Sequence, residues 1–434
     1  MADEGLSTGL ARPRLRIEPW ILDAAFVALL LLAFVGLSPF ALRNPATDLE
    51  TGPYTVTGGG DAVRQALYLL IFASVAVAAF LRRGLGVLRA VPPMLVVLLA
   101  WCLLSASWAA APDIAVRRAG LAIVVTLSTM LFVDAIGAER SMKIWWLVLA
   151  GVLIVNWLSI PFVHQSVHLP GEQDPGLVGD WRGLYFHKNI AGAVSAVSAI
   201  VFFFSALRTG RWIDVALCAA AIGFAVMTKS KSSLGLLTVA LAFGLTYRLA
   251  WRQGLDRMIV AVAALLFLFV AAAFLFVDSD AIARALEDPA EFTGRAAIWQ
   301  AELGFVRDHP LLGSGFGTFA DTGAISPLHN YVGSAWVETV AHGHNGYLQL
   351  LVTTGGVGFA IAIVALLVLP AARFWRQRDG ALAERAMLFA LFVFLVLHNF
   401  MESDFLEGDA PTWVAFLLVL AMLRAPSKIA GRTR

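Results

Sequence analysis

Charged residues are scarce in this chain. Only 14% of its 434 residues are Asp, Glu, Lys or Arg, whereas 59% are hydrophobic. This composition lies outside the range of ordinary soluble domains and points to a polytopic membrane protein. The formal net charge is only +2, so the total charge gives no sign of a nucleic-acid partner and the location of each charge matters more.

Cysteine is also rare. The two cysteines, Cys102 and Cys218, each lie in an apolar run, so neither is expected to form a disulfide or to bind a metal. The polar N-terminal stretch 1–19 leads directly into an apolar span that is too long for a cleaved signal peptide. We therefore expect the first helix to be retained.

Long hydrophobic runs account for most of the chain. Crossing the hydrocarbon core of a bilayer takes roughly 20 apolar residues in a helix. The sequence predicts an all-α polytopic bundle, a single transmembrane domain over 1–434, with about 12 transmembrane helices. The predicted spans are 20–42, 62–81, 91–109, 116–136, 143–163, 188–207, 212–228, 233–250, 258–277, 345–370, 384–400 and 411–424.

Basic residues follow every second predicted helix. Since Lys and Arg gather in cytoplasmic loops, this spacing predicts that both termini are cytoplasmic. The opposite, periplasmic side then carries the loop 164–187 and the large loop 278–344, which includes a predicted amphipathic helix, GRAAIWQAELGFVRDH. The basic residues are Arg82, Arg83, Arg89, Arg140, Lys143, Arg208, Arg211, Arg248, Arg252, Arg257, Arg373, Arg376, Arg378, Arg424, Lys428, Arg432 and Arg434.

A few cations fall on the periplasmic side, against this pattern. They include Arg117, Arg182, Lys188, Lys231 and Arg295. Cations near membrane depth need a partner, and a lipid pyrophosphate would supply one at that surface. The competing interpretation is that they bind lipid headgroups or extend to the interface, as basic side chains often do.

A histidine precedes one of the predicted membrane helices, in the stretch AHGHNGYLQLLVTTGGVGF. His344-Asn345 is followed, after nine residues, by Gly355 and Gly358. Imidazole has an unperturbed pKa near 6.5, which suits a general base at neutral pH. His344 is the favoured base and His342 is the alternative. The two glycines are expected to allow close helix packing or a bend.

These motifs resemble the O-antigen ligase and Wzy-type polysaccharide polymerase superfamily, in particular its exopolysaccharide polymerase branch. The resemblance is close from about 179 to 358. It rests on His344-Asn345 with Gly355 and Gly358, on TGRAAIW with Arg295, on HPLLGSGFGTF, on WRGLYFHKNIAG with Arg182 and Asn189, and on TKSKSSLG with Lys231. Many relatives have Arg where this chain has Lys231, and Lys lacks the bidentate geometry of Arg.

The resemblance implies a GT-C-like fold and a metal-independent, inverting glycosyltransferase without cofactors in the bacterial inner membrane, with its active site facing the periplasm. The expected donor is a glycan on undecaprenyl pyrophosphate. The expected acceptor is a sugar hydroxyl, on another lipid-linked repeat unit in a polymerase or on lipid A-core in a ligase. Membrane lipids are expected partners, with a chain-length regulator or export proteins as further candidates.

The site is predicted residue by residue on this basis. His344 is the expected catalytic base, and Asn345 is expected to orient it or the acceptor. The predicted substrate-binding residues are Lys231, Arg295, Arg182, Lys188, Arg117 and His342.

Other interpretations remain open. Asp404, Glu407 and Asp409 could form a metal site, but an acidic outer loop is what topology alone would produce. The run GSGFGTF follows no strand, so it does not predict a nucleotide-binding loop. Besides a polymerase and an O-antigen ligase, the helix count suits a transporter or a flippase of lipid-linked oligosaccharides, and a non-catalytic assembly subunit would not need the histidine.

Overall fold

The regular secondary structure of the described residues is helical. The computed structural model describes residues 18–41, 62–172, 175–276, 293–320, 322, 325–331, 343–376 and 382–425. Within these ranges, the only β pairing is an isolated bridge between Val167 and Trp181. The predicted all-α class is therefore confirmed.

Fourteen α-helices follow one another along the described chain. They are α1 (Pro19–Phe34), α2 (Ala62–Arg83), α3 (Pro93–Leu104), α4 (Pro112–Ile136), α5 (Ala138–Phe162), α6 (Lys188–Thr209), α7 (Trp212–Met227), α8 (Lys231–Gln253), α9 (Asp256–Phe276), α10 (Thr293–Asp308), α11 (Gly346–Ala362), α12 (Leu369–Arg376), α13 (Leu382–His398) and α14 (Pro411–Arg424). A π-helical segment, Ile363–Val368, joins α11 to α12.

Each predicted span overlaps one of these helices. Six helical runs in the described ranges are long and apolar enough to cross a membrane, namely 62–90, 112–136, 138–162, 188–209, 231–251 and 346–376. These runs indicate a multi-pass membrane protein. The number of about 12 crossings and the GT-C-like arrangement stay predictions, as does the single domain over 1–434.

Helices α6 and α13 are among the most buried in the bundle. All side chains of α13 from Arg385 to His398 are buried, and α13 packs against α6, α8 and α14. Helix α6 is rich in Ala, Gly and Ser, which allows neighbouring backbones to approach closely. Gly192 marks one such close approach, because a Cβ there would lie 2.7 Å from Cβ of Ser230. The start of α6 therefore contacts the turn that leads into α8.

Helix α11 is broken at Gly355, which has φ +67°. A Cβ at this position would overlap the carbonyl oxygen of Leu311, so the bend requires glycine. The freed backbone groups pair with the segment before it: Gly356 N–H donates to the Pro310 carbonyl at 2.8 Å, and Ser314 N–H donates to the Val352 carbonyl at 2.9 Å. The bend and close packing predicted for the glycine motif are both present, and the HPLLGSG run is its packing partner.

Helix α10 confirms the predicted loop helix and lies against α11. Ile298, Ala301 and Phe305 are buried. Leu303, predicted on the same apolar face, is instead exposed. The prediction was wrong at this position because the buried face follows the i, i+3, i+4 spacing of the other three residues.

Candidate active site

Asn345 forms the N-cap of α11. Its side-chain oxygen accepts hydrogen bonds from the backbone N–H groups of Tyr347 and Leu348, both at 3.1 Å. Asn is among the preferred N-cap residues because its side chain satisfies amides that the helix leaves unpaired. Asn345 thus fixes the backbone immediately after His344, and a direct contact with substrate stays a prediction.

His344 has a left-handed backbone conformation, with φ +49°. Such a conformation is uncommon for residues other than glycine and persists where neighbouring contacts enforce it. Those contacts follow directly: Asn345 N–H donates to Oγ of Ser403 at 3.2 Å, and Gly346 N–H donates to the Asn399 carbonyl at 2.7 Å. The start of α11 is therefore anchored to the loop between α13 and α14.

Glu402, in that loop, lies between His344 and α6. One carboxylate oxygen is 2.9 Å from Nδ1 of His344. The other accepts a hydrogen bond from Nδ2 of Asn189 at 2.7 Å. An ionised carboxylate can only accept, so in the neutral tautomer that fits this contact Nδ1 carries the proton and Nε2 carries the lone pair. Because 34% of the His344 side chain is exposed, this arrangement suits a histidine that takes a proton from a substrate.

His187 forms the N-cap of α6 beside this pair. Its Nδ1 accepts the backbone N–H of Asn189 at 3.2 Å. Burial lowers the pKa of His187 to about 4, and the charges of His168, His344 and Lys188 act in the same direction against that of Glu402. His187 is therefore neutral at pH 7 and adds no positive charge next to His344.

Arg182 is buried and paired within the protein. Its guanidinium contacts Glu172 at 3.1 Å and donates to the Gln165 carbonyl at 2.7 Å. Glu172 also binds Nδ1 of His168 at 2.7 Å. Burial acts against ionisation of Glu172, yet the hydrogen bonds from Leu169 and His168 and the charge of Arg182 leave its pKa below the ordinary value. Arg182 thus holds the loop between α5 and α6.

Lys188 shares a buried carboxylate with Lys229. Asp180 accepts from Lys188 at 2.8 Å and lies 2.7 Å from Nζ of Lys229. Burial opposes ionisation of Asp180, but the two lysines outweigh it and lower its pKa. With two cations facing one carboxylate, this group of three side chains carries a formal net charge of +1.

Lys231 is exposed at the first position of α8. It follows Ser230, which contacts Gly192 one turn after Asn189 in α6. A continuous run of contacts therefore joins the Lys231 turn to the His344–Glu402 pair.

Of the remaining predicted residues, Arg117 has a partner on its own helix, and the other two are not fully described. Arg117 lies 3.5 Å from the exposed carboxylate of Asp113. Arg295 is in the first turn of α10, but its side chain and all of His342 lie outside the described residues. The substrate-binding roles of Arg182, Lys188, Lys231, Arg295, Arg117 and His342 stay predictions.

The acidic loop that contains Glu402 is otherwise bound to the bundle. Asp404 accepts from Thr412 at 2.8 Å and contacts Nδ1 of His398 at 2.6 Å. Asp409 pairs with Arg64 and accepts from the Tyr68 hydroxyl. In the described ranges, no three His, Cys, Asp or Glu side chains are grouped so that they could hold a metal ion. Metal independence stays a prediction.

The fold and the site define a multi-pass helical membrane protein with a histidine–carboxylate pair at one end of its bundle. Residues 216–363 match the family model described as O-antigen ligase. The chain is also 27% identical, over 323 residues, to the exopolysaccharide production protein ExoQ of Rhizobium meliloti, covering 69% of each chain. These findings confirm the resemblance to the O-antigen ligase and Wzy-type superfamily, and support a membrane enzyme of the ligase or polymerase type.

Glu402 is the residue of this site that sequence reasoning missed. It lies outside the matched range 216–363 and is separated from His344 by 58 positions. Its only sequence signal was membership of an acidic loop on the same predicted side as His344.

Proposed function

We propose that this protein is an inverting glycosyltransferase that moves a glycan from undecaprenyl pyrophosphate to a sugar hydroxyl, polymerising lipid-linked repeat units into a surface polysaccharide or exopolysaccharide. The observation that carries the proposal is the hydrogen-bonded series His344–Glu402–Asn189, because it orients a partly exposed imidazole as a base.

The reaction needs one proton transfer and one displacement. The acceptor hydroxyl oxygen attacks the anomeric carbon and forms the new glycosidic bond, while Nε2 of His344 takes the hydroxyl proton. The bond from the anomeric carbon to the pyrophosphate oxygen breaks, and undecaprenyl pyrophosphate leaves with that electron pair. Attack from the face opposite the leaving group inverts the configuration. Glu402 stabilises the imidazolium that forms.

The leaving pyrophosphate needs positive charge. Lys231 is the best-suited cation among the described residues, since it is exposed and the N-terminus of α8 adds oriented amide donors. Lys188 and Lys229 outnumber Asp180 and add to the local potential. Arg182 holds the loop before α6 through its pair with Glu172, in addition to its predicted contact with the substrate. Arg295 is proposed as a second direct contact.

The proposed orientation puts this end of the bundle outside the cytoplasmic membrane. The opposite helix ends carry the basic residues Arg83, Arg140 and Arg208, which pair with Asp134, Asp23 and Glu384. Basic ends are typical of the cytoplasmic side. The active site would then face the periplasm, where a glycan on undecaprenyl pyrophosphate is exposed after translocation.

Two acceptor substrates are compatible with the proposed chemistry. The relative's printed name concerns exopolysaccharide production, which favours a second repeat unit and hence a polymerase. The family model's description favours an O-antigen ligase, with lipid A-core as the acceptor. The chemistry at His344 is the same for both.

Reconstitution tests the proposal. Purified protein in liposomes would receive a repeat unit on undecaprenyl pyrophosphate, either alone or with lipid A-core. A polymerase gives a ladder of longer lipid-linked chains from the donor alone, whereas a ligase gives a product only when lipid A-core is added. If neither mixture releases undecaprenyl pyrophosphate, the protein is not a transferase of this donor.

A further inference from the structure

Glu302 is a buried carboxyl group that the proposed reaction does not use. It lies on α10 and is only 1% exposed. Its carboxyl group is next to the backbone of Gly343, the residue before His344. A Cβ at Gly343 would lie 2.7 Å from both Cδ and Oε2 of Glu302. The carboxyl group therefore occupies the space that the missing side chain of Gly343 leaves.

A second residue of the same helix contacts the same backbone. Nε1 of Trp299 donates a hydrogen bond to the Gly343 carbonyl at 2.7 Å. Trp299 and Glu302 are three positions apart, so they lie on one face of α10. That face contacts the chain immediately before His344, whereas Ser403 and Asn399 bind the chain immediately after it.

His344 needs such support on both sides. Its left-handed conformation is costly for a residue with a side chain, and the surrounding contacts must maintain it. The contacts on the C-terminal side come from the loop that also carries Glu402. Those on the N-terminal side come from α10.

We propose that Glu302 is a positioning residue for His344: with Trp299 it holds the turn at Gly343 and so presents the imidazole to Glu402 and to the acceptor. The effect on catalysis rests on the proposed function, whereas the role of Glu302 in holding the turn at Gly343 does not.

The charge state of Glu302 follows from its surroundings. Burial raises the pKa of Glu302 to about 8. Helix α11, packed against α10, has no Asp, Glu, Lys, Arg or His between Gly346 and Ala362. The described segments in contact with α10 carry His329, Tyr331 and Tyr347. Arg307, Asp308 and His309 lie at the C-terminal end of α10, and His344 follows Gly343.

The proposal predicts a pH-dependent opening of the turn. Opening exposes Glu302 and returns it to the ordinary carboxyl pKa near 4.3, so the open state loses its proton first. Between about pH 5 and about 8, the opening equilibrium should rise about tenfold per pH unit. Above about pH 8 both states are ionised and the dependence should level off.

Hydrogen exchange of the peptide 343–348 measures this opening directly. Its protected amides include those of Asn345, Gly346, Tyr347 and Leu348. After correction for intrinsic exchange, protection in the parent protein should fall about tenfold per pH unit up to about pH 8. Glu302→Gln keeps the shape of the side chain but cannot ionise. Subtracting its pH profile of protection from that of the parent removes any pH dependence that comes from His344. Asp308→Asn, on the exposed side of α10, is the matched control and should follow the parent.

Transfer assays give the second readout. At pH 7, Glu302→Gln should keep kcat within about threefold of the parent, whereas Glu302→Ala should lower kcat about 10-fold or more with little change in donor KM. Gly343→Ala should also lower kcat, and its effect should shrink in a Glu302→Ala background, because the overlapping carboxyl group is gone.

The outcomes separate the two proposals. If the parent and Glu302→Gln have the same pH profile of protection, Glu302 does not position the turn and the inference is overturned. Independent effects of Gly343→Ala and Glu302→Ala would overturn it as well. If protection responds as predicted but the parent protein transfers no glycan, the positioning role stands and the proposed function fails.

Discussion

Replacing Glu402 by Gln tests the orientation of the base without changing the shape of the site. In the parent, one carboxylate oxygen accepts from Asn189 at 2.7 Å and the other lies 2.9 Å from Nδ1 of His344. A glutamine side chain has one oxygen and one NH₂ group. The NH₂ group of Asn189 pairs best with the glutamine oxygen, so the glutamine NH₂ faces His344.

This substitution therefore reverses the hydrogen bond to the imidazole. A donor at Nδ1 favours the tautomer that carries its proton on Nε2, and that tautomer cannot take a proton from the acceptor. General-base catalysis contributes typically about 10²- to 10⁴-fold. We therefore expect Glu402→Gln to lower kcat by about 10²- to 10⁴-fold, which corresponds to about 3–5 kcal/mol in the activation free energy.

The assay is glycan transfer by protein in liposomes, with kcat and donor KM measured separately. Donor KM should change little, because Glu402 acts through His344 and a negatively charged side chain is not a ligand for pyrophosphate. Glu407→Gln in the same loop is the matched control and should behave as the parent. Equal thermal unfolding midpoints would exclude a folding defect. A Glu402→Gln variant that retains kcat within about threefold would refute the reasoning, because the tautomer would then not matter.

Three further predictions concern the scaffold and the leaving group. Asp180→Asn leaves its two lysine partners uncompensated and should lower the free energy of unfolding by about 3 kcal/mol at pH 7. The difference should vanish as the pH falls through the lowered pKa of Asp180, and unchanged unfolding midpoints would argue against the pairing. Gly355→Ala should lower the free energy of unfolding by about 2 kcal/mol or more. Gly235→Ala is the control and should not lower it, because the space around that Cβ position is open. Equal unfolding midpoints for the two variants would contradict the packing argument. Lys231→Ala and Arg295→Ala should each raise donor KM about tenfold. Donor kinetics at parent values in both variants would show that these cations do not bind the leaving group. A chelator should leave transfer unchanged.

Hydrophobic patterning predicted most of the scaffold. Every predicted span overlaps a helix because a long apolar run has few other ways to satisfy its backbone in lipid. Helix α14 has the predicted bounds, Pro411–Arg424, although it is short. Its burial explains the length, since a helix enclosed by other helices need not match the thickness of the bilayer.

The partners of the cations could not be predicted in the same way. Arg182 and Lys188 were expected to await a polyanion, because a cation near membrane depth needs compensation. The structure supplies that compensation from Glu172 and Asp180, in the same loop. Loop carboxylates have no periodic pattern, so only the folded loop reveals which cation each one meets.

The carboxyl groups around His344 illustrate the same limit. Glu402 and Glu302 come from elements far apart in sequence, and each is an ordinary residue of its local stretch. Their roles depend on the loop after α13 and on helix α10 packing against the start of α11. No local spacing rule encodes that convergence.

Chemical rescue tests the central claim most directly. His344→Gly removes the imidazole and keeps a residue that readily adopts φ +49°. The account predicts a loss of transfer of about 10²-fold or more, and partial recovery when free imidazole is added. Transfer by His344→Gly at the parent rate without imidazole would contradict it, because the reaction would then proceed without this base.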